Sequence, residues 1–583
     1  MVIIILPFQM IKEIVNVLQG ILFLTVLHIS HQGFSAANHS FFSDSTIIAQ
    51  GEANFNRYCS GCHNFRQDGI GPQLGGLTKK VSTSWIHNFV RNPQKVISSG
   101  DQRAQQLYKK YKVVMPSFAT LSNNDLDAIV AFMQTHGSPV RKAGNGNELT
   151  NPVPETIKVS KIVIGLELVT QFPTSSDSDR VPLARITKLD YQPNTGTSFV
   201  LDLRGKIYKM EDNKPRVYMD ITRWKPLFID RPGLASGLGS FAFHPQFGTN
   251  GLLYTTHSEP AKSAMADFTY EDSIKVTLQW VLTEWKADNP SSDTFNGSSR
   301  ELMRINMVAV NHGVQEITFN SLAKESDEDY GLLYMGVGDG GSAEQGFPFL
   351  VHSPRRIWGS ILRIDPLGRN SKNGKYGVPL QNPFVKNKEE KALGEIYAYG
   401  FRNPHRITWT KSGQMLASNI GHGNIESINM ILKGHDYGWP VREGSFVLHP
   451  ENEMNKVYAL PKNDSSYQIT YPVAQYDHDE GKAICGGYEY VGEKLPQLKG
   501  KFLFGDIPMG RLFYIETADI NPGKLAAVKE WRVSINGQLK TLAELCGSKR
   551  VDLHFGKDVM GEMYILTKAD GKLYRLTTSN AAE

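Results

Sequence analysis

Two thiols three residues apart, followed at once by an imidazole, constrain this chain more than any other stretch: Cys59-Ser60-Gly61-Cys62-His63. The spacing sets both sulfurs on one turn beneath the vinyl edge of a porphyrin, where His63 reaches the iron from below. The five residues therefore specify a covalently attached c-type heme. A zinc half-site or a redox dithiol would share the Cys-x-x-Cys, but the residues downstream point to heme. A heme that carries electrons needs a sixth ligand, and a thioether raises its potential. Met115, in the loop Val114-Met115-Pro116-Ser117-Phe118, is the candidate. Its competitor Met133 falls inside a helix expected from Asp125 to Thr135, among Ile129, Val130 and Phe132, where methionine serves as core packing. Gly69-Ile70-Gly71-Pro72 supplies a loop to support His63.

With these motifs in order, the segment from about Gly51 to Gly137 resembles a class I cytochrome c domain. Heme attachment of this kind takes place outside the cytoplasm, so an export signal is expected at the start. The apolar run Val17 to Ile29, with Lys12 before it and Ser35-Ala36-Ala37 after it, fits one. Residues 1–37 are thus expected to be a signal peptide, with a retained membrane anchor as the alternative, and the protein to be periplasmic or otherwise extracytoplasmic. The cytochrome domain is placed at 38–140. A polar, turn-rich linker containing Arg141-Lys142-Ala143-Gly144-Asn145-Gly146-Asn147 follows over 141–158.

From 159 to 578 the pattern changes to short apolar or alternating runs broken by Gly, Asn, Asp and Pro, the signature of an all-β domain. Glycine followed by an aliphatic-aromatic strand recurs at Gly205, Gly251, Gly331, Gly510, Gly561 and Gly571, each expected to open an inner strand of a propeller blade. Roughly 420 residues at about 70 per blade give six blades. The expected architecture is a six-bladed β-propeller beside a small all-α cytochrome, with ligands at the channel mouth where loops converge. A net charge of +5, spread without basic runs, gives no reason to expect a nucleic-acid partner.

Five stretches of the β region resemble the glucose/sorbosone dehydrogenase family, which includes soluble aldose dehydrogenases that use pyrroloquinoline quinone (PQQ) and calcium. They are Gly239 to Pro245; Asn311-His312-Gly313 leading to Gly336-Val337-Gly338-Asp339-Gly340-Gly341; Ala398 to Pro404; Ile420-Gly421-His422-Gly423 running into Tyr437-Gly438-Trp439-Pro440; and Gly481 to Ile484. The resemblance implies that His312 is the base that takes the substrate hydroxyl proton, with Asp339 orienting it; an imidazole that is largely neutral at working pH suits that task. His244, in a Phe-His-Pro turn, is the rival histidine. Arg402, Asn403 and Lys482 match PQQ contacts, with Arg511 a weaker match, and a tricarboxylated quinone wants fixed cationic donors. Main-chain carbonyls at Gly421 and His422 match the calcium loop, as suits a cation that takes oxygen ligands.

Departures from the sugar-oxidising pattern are Asn311 before the base, Ile420 before the calcium loop, His422 in place of a proline, and an insertion at Ala323 to Asp329 between base and orienter. The two halves together imply an exported quinohemoprotein that oxidises the C1 hydroxyl of an aldose or related polyol. Its electrons leave singly through the heme to a cytochrome or terminal oxidase. The alternative is a glycan- or protein-binding propeller tethered to a redox domain; a heme-d1 nitrite reductase finds no match in the propeller motifs. Cys485 and Cys546 remain, with a disulfide and free thiols both open.

Overall fold

The computed structural model describes residues 44–139, 147–176, 181–230, 236–386 and 391–579; the expected signal segment lies outside them. The cytochrome part is built from five helices, α1 (Ser45–Tyr58), α2 (Thr83–Arg91), α3 (Pro93–Ser98), α4 (Gln102–Tyr111) and α5 (Asn123–Gln134). Asp44 caps α1 by accepting from the Thr46 and Ile47 amides. Ser122 and Asp125 form a reciprocal capping box on α5, which starts that helix two residues before the sequence expectation. α1 and α5 cross at Gly51, where a Cβ would stand 1.9 Å from the Ala128 carbonyl oxygen, so only glycine admits the approach. Phe55, Leu126, Ile129 and Met133 fill the space beneath the crossing.

The β region forms six four-stranded antiparallel blades. Blade 1 runs Ile186–Tyr191, Ser198–Asp202, Lys206–Glu211 and Lys214–Asp220. Blade 2 is Leu238–Phe243, Leu252–Pro260, Leu278–Ala287 and Gly297–Met307. Blade 3 is Glu316–Phe319, Leu333–Val337, Ser360–Ile364 and Ile396–Tyr399. Blade 4 is Pro404–Trp409, Met415–Asn419, Ile425–Met430 and Ala474–Asp477. Blade 5 is Ile484–Glu489, Lys501–Asp506, Leu512–Glu516 and Lys529–Ile535. Blade 6 is Leu553–Lys557, Met563–Thr567 and Lys572–Thr577, with the long N-terminal strand Lys158–Gln171 as its outer edge. That strand also runs parallel to the outer strand of blade 5, so the segment leaving the cytochrome closes the ring. The first strands of successive blades neighbour one another around a closed circle.

The recurring glycines fall at two different positions within the blades. Gly251, Gly331 and Gly561 precede second strands, and Gly205, Gly510 and Gly571 precede third strands; none opens the innermost one. All six have positive φ, between 66° and 101°. They turn the chain between blade strands, where a residue with a Cβ would be strained.

In an antiparallel meander the start of a first strand and the end of a second strand lie on the same face. The upper mouth therefore gathers the residues before each first strand and those after each second strand. A buried ionic plug bars the channel below it. Lys188 of blade 1 and Arg406 of blade 4 grip the two carboxylate oxygens of Glu316 of blade 3, each at 2.7 Å, with all three side chains at most 5% exposed. Beneath the plug lies a second cavity of about 320 Å3 lined by Asp190, Trp409, Tyr488 and Lys557.

Candidate active site

The heme motif folds as the spacing requires. Cys59 is the C-cap of α1, and the amides of Cys62 and His63 both return to its carbonyl at 3.0 Å, which keeps the two thiols on one turn. His63 Nδ1 stands 2.8 Å from the Pro72 carbonyl oxygen, so Nδ1 carries the proton and Nε2 is left for iron. A Cβ at Gly71 would lie 2.4 Å from the His63 ring, so this glycine is what lets the supporting loop lie against the imidazole. Met133 is 3% exposed in the helical core, whereas Met115 stands in the loop after α4. Cys59, Cys62 and His63 are arranged so that they would hold a covalent heme, for which Met115 would be the candidate second ligand.

The heme-attachment turn faces the upper mouth. Gln67 donates to Met454 Sδ at 3.0 Å and accepts from its amide at 3.1 Å, Lys112 reaches Asp479 at 3.2 Å, and Lys275 of the propeller pairs with Glu52. Gly61, Cys62 and Ile70 of the cytochrome, with Asn311, His312, Asn403, His405, Ile420, Lys482, Arg550, His554 and Lys568 of the propeller, enclose a cavity of about 130 Å3.

His312 hangs from a backbone in the left-handed region, φ 51°, unusual for a side-chain-bearing residue and the kind of strain that persists where surrounding structure enforces it. Its Nδ1 lies 2.8 Å from Asp339 Oδ1. Asp339 is fully buried and held on every side. Gly341 N–H donates to the same oxygen at 2.8 Å across a turn in which Gly340 and Gly341 both have positive φ, and Trp439 Nε1–H donates to Oδ2 at 3.0 Å. The carboxylate thus fixes the Nδ1–H tautomer and leaves Nε2 basic. His244 is at the far end of a first strand, where its Nδ1 accepts from the Gln246 amide, and burial pushes its pKa down to about 4. The Ala323 to Asp329 insertion also lies at that lower end, with Ala323 lining the lower cavity, so it does not shape the upper pocket.

Of the expected cofactor contacts, Asn403 and Lys482 line the cavity, and burial together with Lys112 lowers the pKa of the Lys482 ammonium. Arg402 lies behind the wall. Its guanidinium pairs with buried Glu344 and donates to the Gly421 carbonyl at 2.5 Å. Arg402 and His422 together hold the Glu344 carboxyl well below the usual carboxylate range. Arg511 is displaced altogether: Glu480 and Glu530 take its guanidinium on the outer side of blade 5. The calcium loop also differs from expectation. Gly421 O accepts from a cation, the His422 amide donates to Glu443, and His422 Nδ1 is 3.0 Å from Glu344. The Gly421 carbonyl is thus already engaged by the Arg402 guanidinium, a cation standing where the resemblance implies a metal. Cys485 and Cys546 are both free, the first buried in the blade 5 and 6 core.

Sequence reasoning missed several residues that complete the wall, among them His405, Arg406, Arg550, Asp552, His554 and Lys568. Arg406 Nε, His405 Nδ1 and both ring nitrogens of His554 are buried without a hydrogen-bond partner. Burial among like charges lowers the Lys568 ammonium to about 8. A pocket with four cations, one carboxylate at Asp552 and several unspent polar nitrogens fits a polycarboxylated ligand.

The family model for glucose/sorbosone dehydrogenases matches residues 185–575. The chain belongs to that family. The cytochrome c model matches residues 48–137, so a cytochrome c domain precedes the propeller. Similar proteins include HIPL1 of Arabidopsis thaliana, 25% identical over 57% of this chain and 52% of that protein. Quinoprotein glucose dehydrogenase B of Acinetobacter calcoaceticus is 22% identical over 53% of this chain and 62% of that one. The chain spans about half to three-fifths of the length of these two relatives. Among solved structures, the PQQ-bound aldose sugar dehydrogenase of Streptomyces coelicolor superposes with a TM-score of 0.46 at 18% identity, covering 72% of this chain and 99% of that one. A cytochrome c from Rhodothermus marinus is 33% identical over 16% of this chain and 78% of that one, with a TM-score of 0.15.

Proposed function

We propose that the protein is an exported quinohemoprotein that oxidises the C1 hydroxyl of an aldose or related polyol, with PQQ as acceptor, and passes the electrons singly through its heme to a respiratory partner. The observation that carries this reading is a shared wall: Cys62 of the heme motif lines the same cavity as His312, which Asp339 holds from behind, Asn403 and Lys482. When bound, PQQ supplies a two-electron hydride acceptor and the heme a one-electron exit. The chain does the rest. His312 Nε2 takes the hydroxyl proton, and Asp339 stabilises the imidazolium that results. Lys482, Arg406, Arg550 and Lys568 would hold the carboxylates, and Lys482 would offset charge that builds on the reduced ligand. Cys62, Gly61 and Ile70 form the cytochrome side of the site's wall.

The cavity's about 130 Å3 is below the ~300 Å3 at which ligand pockets begin, so loading and substrate entry require that cytochrome side, the roof, to lift. The same small volume favours the second reading, a binding propeller without cofactor. One experiment separates them: oxidised, heme-loaded protein is mixed anaerobically with PQQ, calcium and a panel of aldoses, and heme reduction is followed in the visible spectrum. Reduction that requires sugar and PQQ, and that His312→Ala abolishes with the heme spectrum intact, supports the enzyme. No reduction together with no PQQ binding by calorimetry would sink it.

A further inference from the structure

Arg550 touches both halves of the molecule. It lies in the loop entering the first strand of blade 6, and its Nη1 donates to the Val114 carbonyl of the cytochrome at 3.2 Å. Val114 is the residue before Met115. Behind it, Nε and Nη2 fork onto Asp552 at 2.9 and 2.7 Å. Asp552 is fully buried and has a left-handed φ of 53°, so the anchor is itself fixed by the fold. The same guanidinium lines the cavity beside Cys62, His312 and Lys482.

A guanidinium has five N–H donors in a rigid plane. One goes to Asp552 Oδ2 and one to Val114, with Nη2 in ion-pair contact with Oδ1, which leaves donors for whatever anion enters the cavity. The carbonyl it holds immediately precedes the expected sixth ligand of the iron. We propose that Arg550 is the positioning residue that couples the cavity's occupant to the heme, by pinning the Met115 loop to the propeller and sharing its charge with a bound polyanion. This rests on the reading above that Met115 ligates the heme and that the cavity takes a carboxylated quinone. It gives the fused architecture a second use: occupancy of the cavity would be felt at the iron, and by linkage the iron's oxidation state would alter the cavity's affinity by the same factor.

The test uses the full-length heme-loaded protein, without sugar. Two quantities are read, the long-wavelength band of methionine-ligated ferric heme and the heme midpoint potential, each without and with saturating PQQ. In the native protein the band should be present, and PQQ should shift the potential. Arg550→Ala should weaken the band, lower the cofactor-free potential through loss of a nearby cation, and remove the PQQ-induced shift. Arg550→Lys, which keeps the charge and loses the fork, should retain more of the potential than of the band. Arg511→Ala, which breaks a comparable two-carboxylate clamp outside the cavity, should leave both readings as in the native protein and so controls for general loosening. An unchanged band and potential in Arg550→Ala overturn the proposal, as does a PQQ shift that survives the substitution. Absence of the band in the native protein overturns it too, because Met115 would then not be the ligand. If native protein binds no PQQ by calorimetry, the quinone reading falls and the coupling with it, while the cofactor-free readings still decide whether Arg550 holds the Met115 loop.

Discussion

Replacing Asp339 by asparagine tests the chemistry of the site with a change of a few atoms. The carboxylate accepts three hydrogen bonds, from His312 Nδ1–H at 2.8 Å, Gly341 N–H at 2.8 Å and Trp439 Nε1–H at 3.0 Å. An amide has one acceptor oxygen and a two-proton donor, so no orientation satisfies all three. With the oxygen toward His312 and Gly341, the amide nitrogen faces the Trp439 N–H, and a buried donor goes unpaired at a cost of about 1–3 kcal/mol. With the nitrogen toward His312, the imidazole is driven to the other tautomer and Nε2 carries the proton it should accept. Either way the imidazolium loses its counter-charge. General-base assistance is worth about 10²–10⁴ in rate, and the loss should fall in that range. The assay is the anaerobic rate of sugar-driven heme reduction, with PQQ affinity and the heme spectrum as controls that should not move. Trp439→Phe removes one charge-assisted donor, worth about 1.5–3 kcal/mol, and leaves the His312 contact in place, so its rate should fall much less. A loss of less than about tenfold in Asp339→Asn would refute the assignment of His312 as a base oriented through Nδ1.

Glu316→Ala leaves Lys188 and Arg406 facing each other in the channel and should destabilise the propeller by about 3–5 kcal/mol in denaturant unfolding, whereas Glu52→Ala, at a pair exposed to solvent, should cost less than about 1 kcal/mol. Gly338→Ala would set a Cβ 2.2 Å from the His312 carbonyl oxygen, so sugar-driven turnover should be lost while the heme spectrum is kept; native-like turnover would show that the His312 backbone can shift freely. Glu426 is buried, and desolvation raises its carboxyl to about 8, so its contribution to stability is present at low pH and is lost as pH rises toward 8. Its partner His478 is depressed to about 3 and acts in the opposite sense, but only as pH falls below about 6.5. Between pH 6.5 and 8 the native protein should therefore lose roughly 2 kcal/mol that Glu426→Gln does not, and parallel curves for the two proteins would reject the buried acid.

What the sequence made legible was whatever is carried by adjacent residues. The heme motif, its Gly-Pro support and the order of propeller loops are local patterns, and His312 and Asp339 stand in motifs whose meeting follows once both loops enter the upper mouth. What stayed hidden depends on pairings between blades. Glu344 reads as an ordinary loop acid until the fold sets it against Arg402 and His422, and that knot takes both the cation expected to face the cofactor and a carbonyl expected to face calcium. Arg511 was misplaced because its partners Glu480 and Glu530 lie 31 and 19 residues away. Glu443 collects four consecutive amides, from His422 to Ile425, and so shapes the loop without any signal in the loop itself. The glycine echo revealed a repeat but not its phase, since a positive-φ turn serves any pair of adjacent strands equally well.

The two halves impose opposite demands on the surface between them. Electron exit favours a seated cytochrome, with Cys62 in the cavity wall, whereas loading a cavity of about 130 Å3 requires that wall to move. The contacts fit a roof that can do both. Lys112–Asp479 and Lys275–Glu52 are solvent-exposed pairs, each worth about 0–1 kcal/mol and weakened by salt. Gln67 and Arg550 hold the turn and the Met115 loop through a few directional bonds rather than a broad apolar seal. Opening would break these hydrogen bonds in exchange for water at little net cost, about 0.5–1.5 kcal/mol for each neutral one. The N-terminal strand of blade 6 ties the cytochrome to the ring however far the roof lifts, so reclosure is an intramolecular event that needs no tight interface.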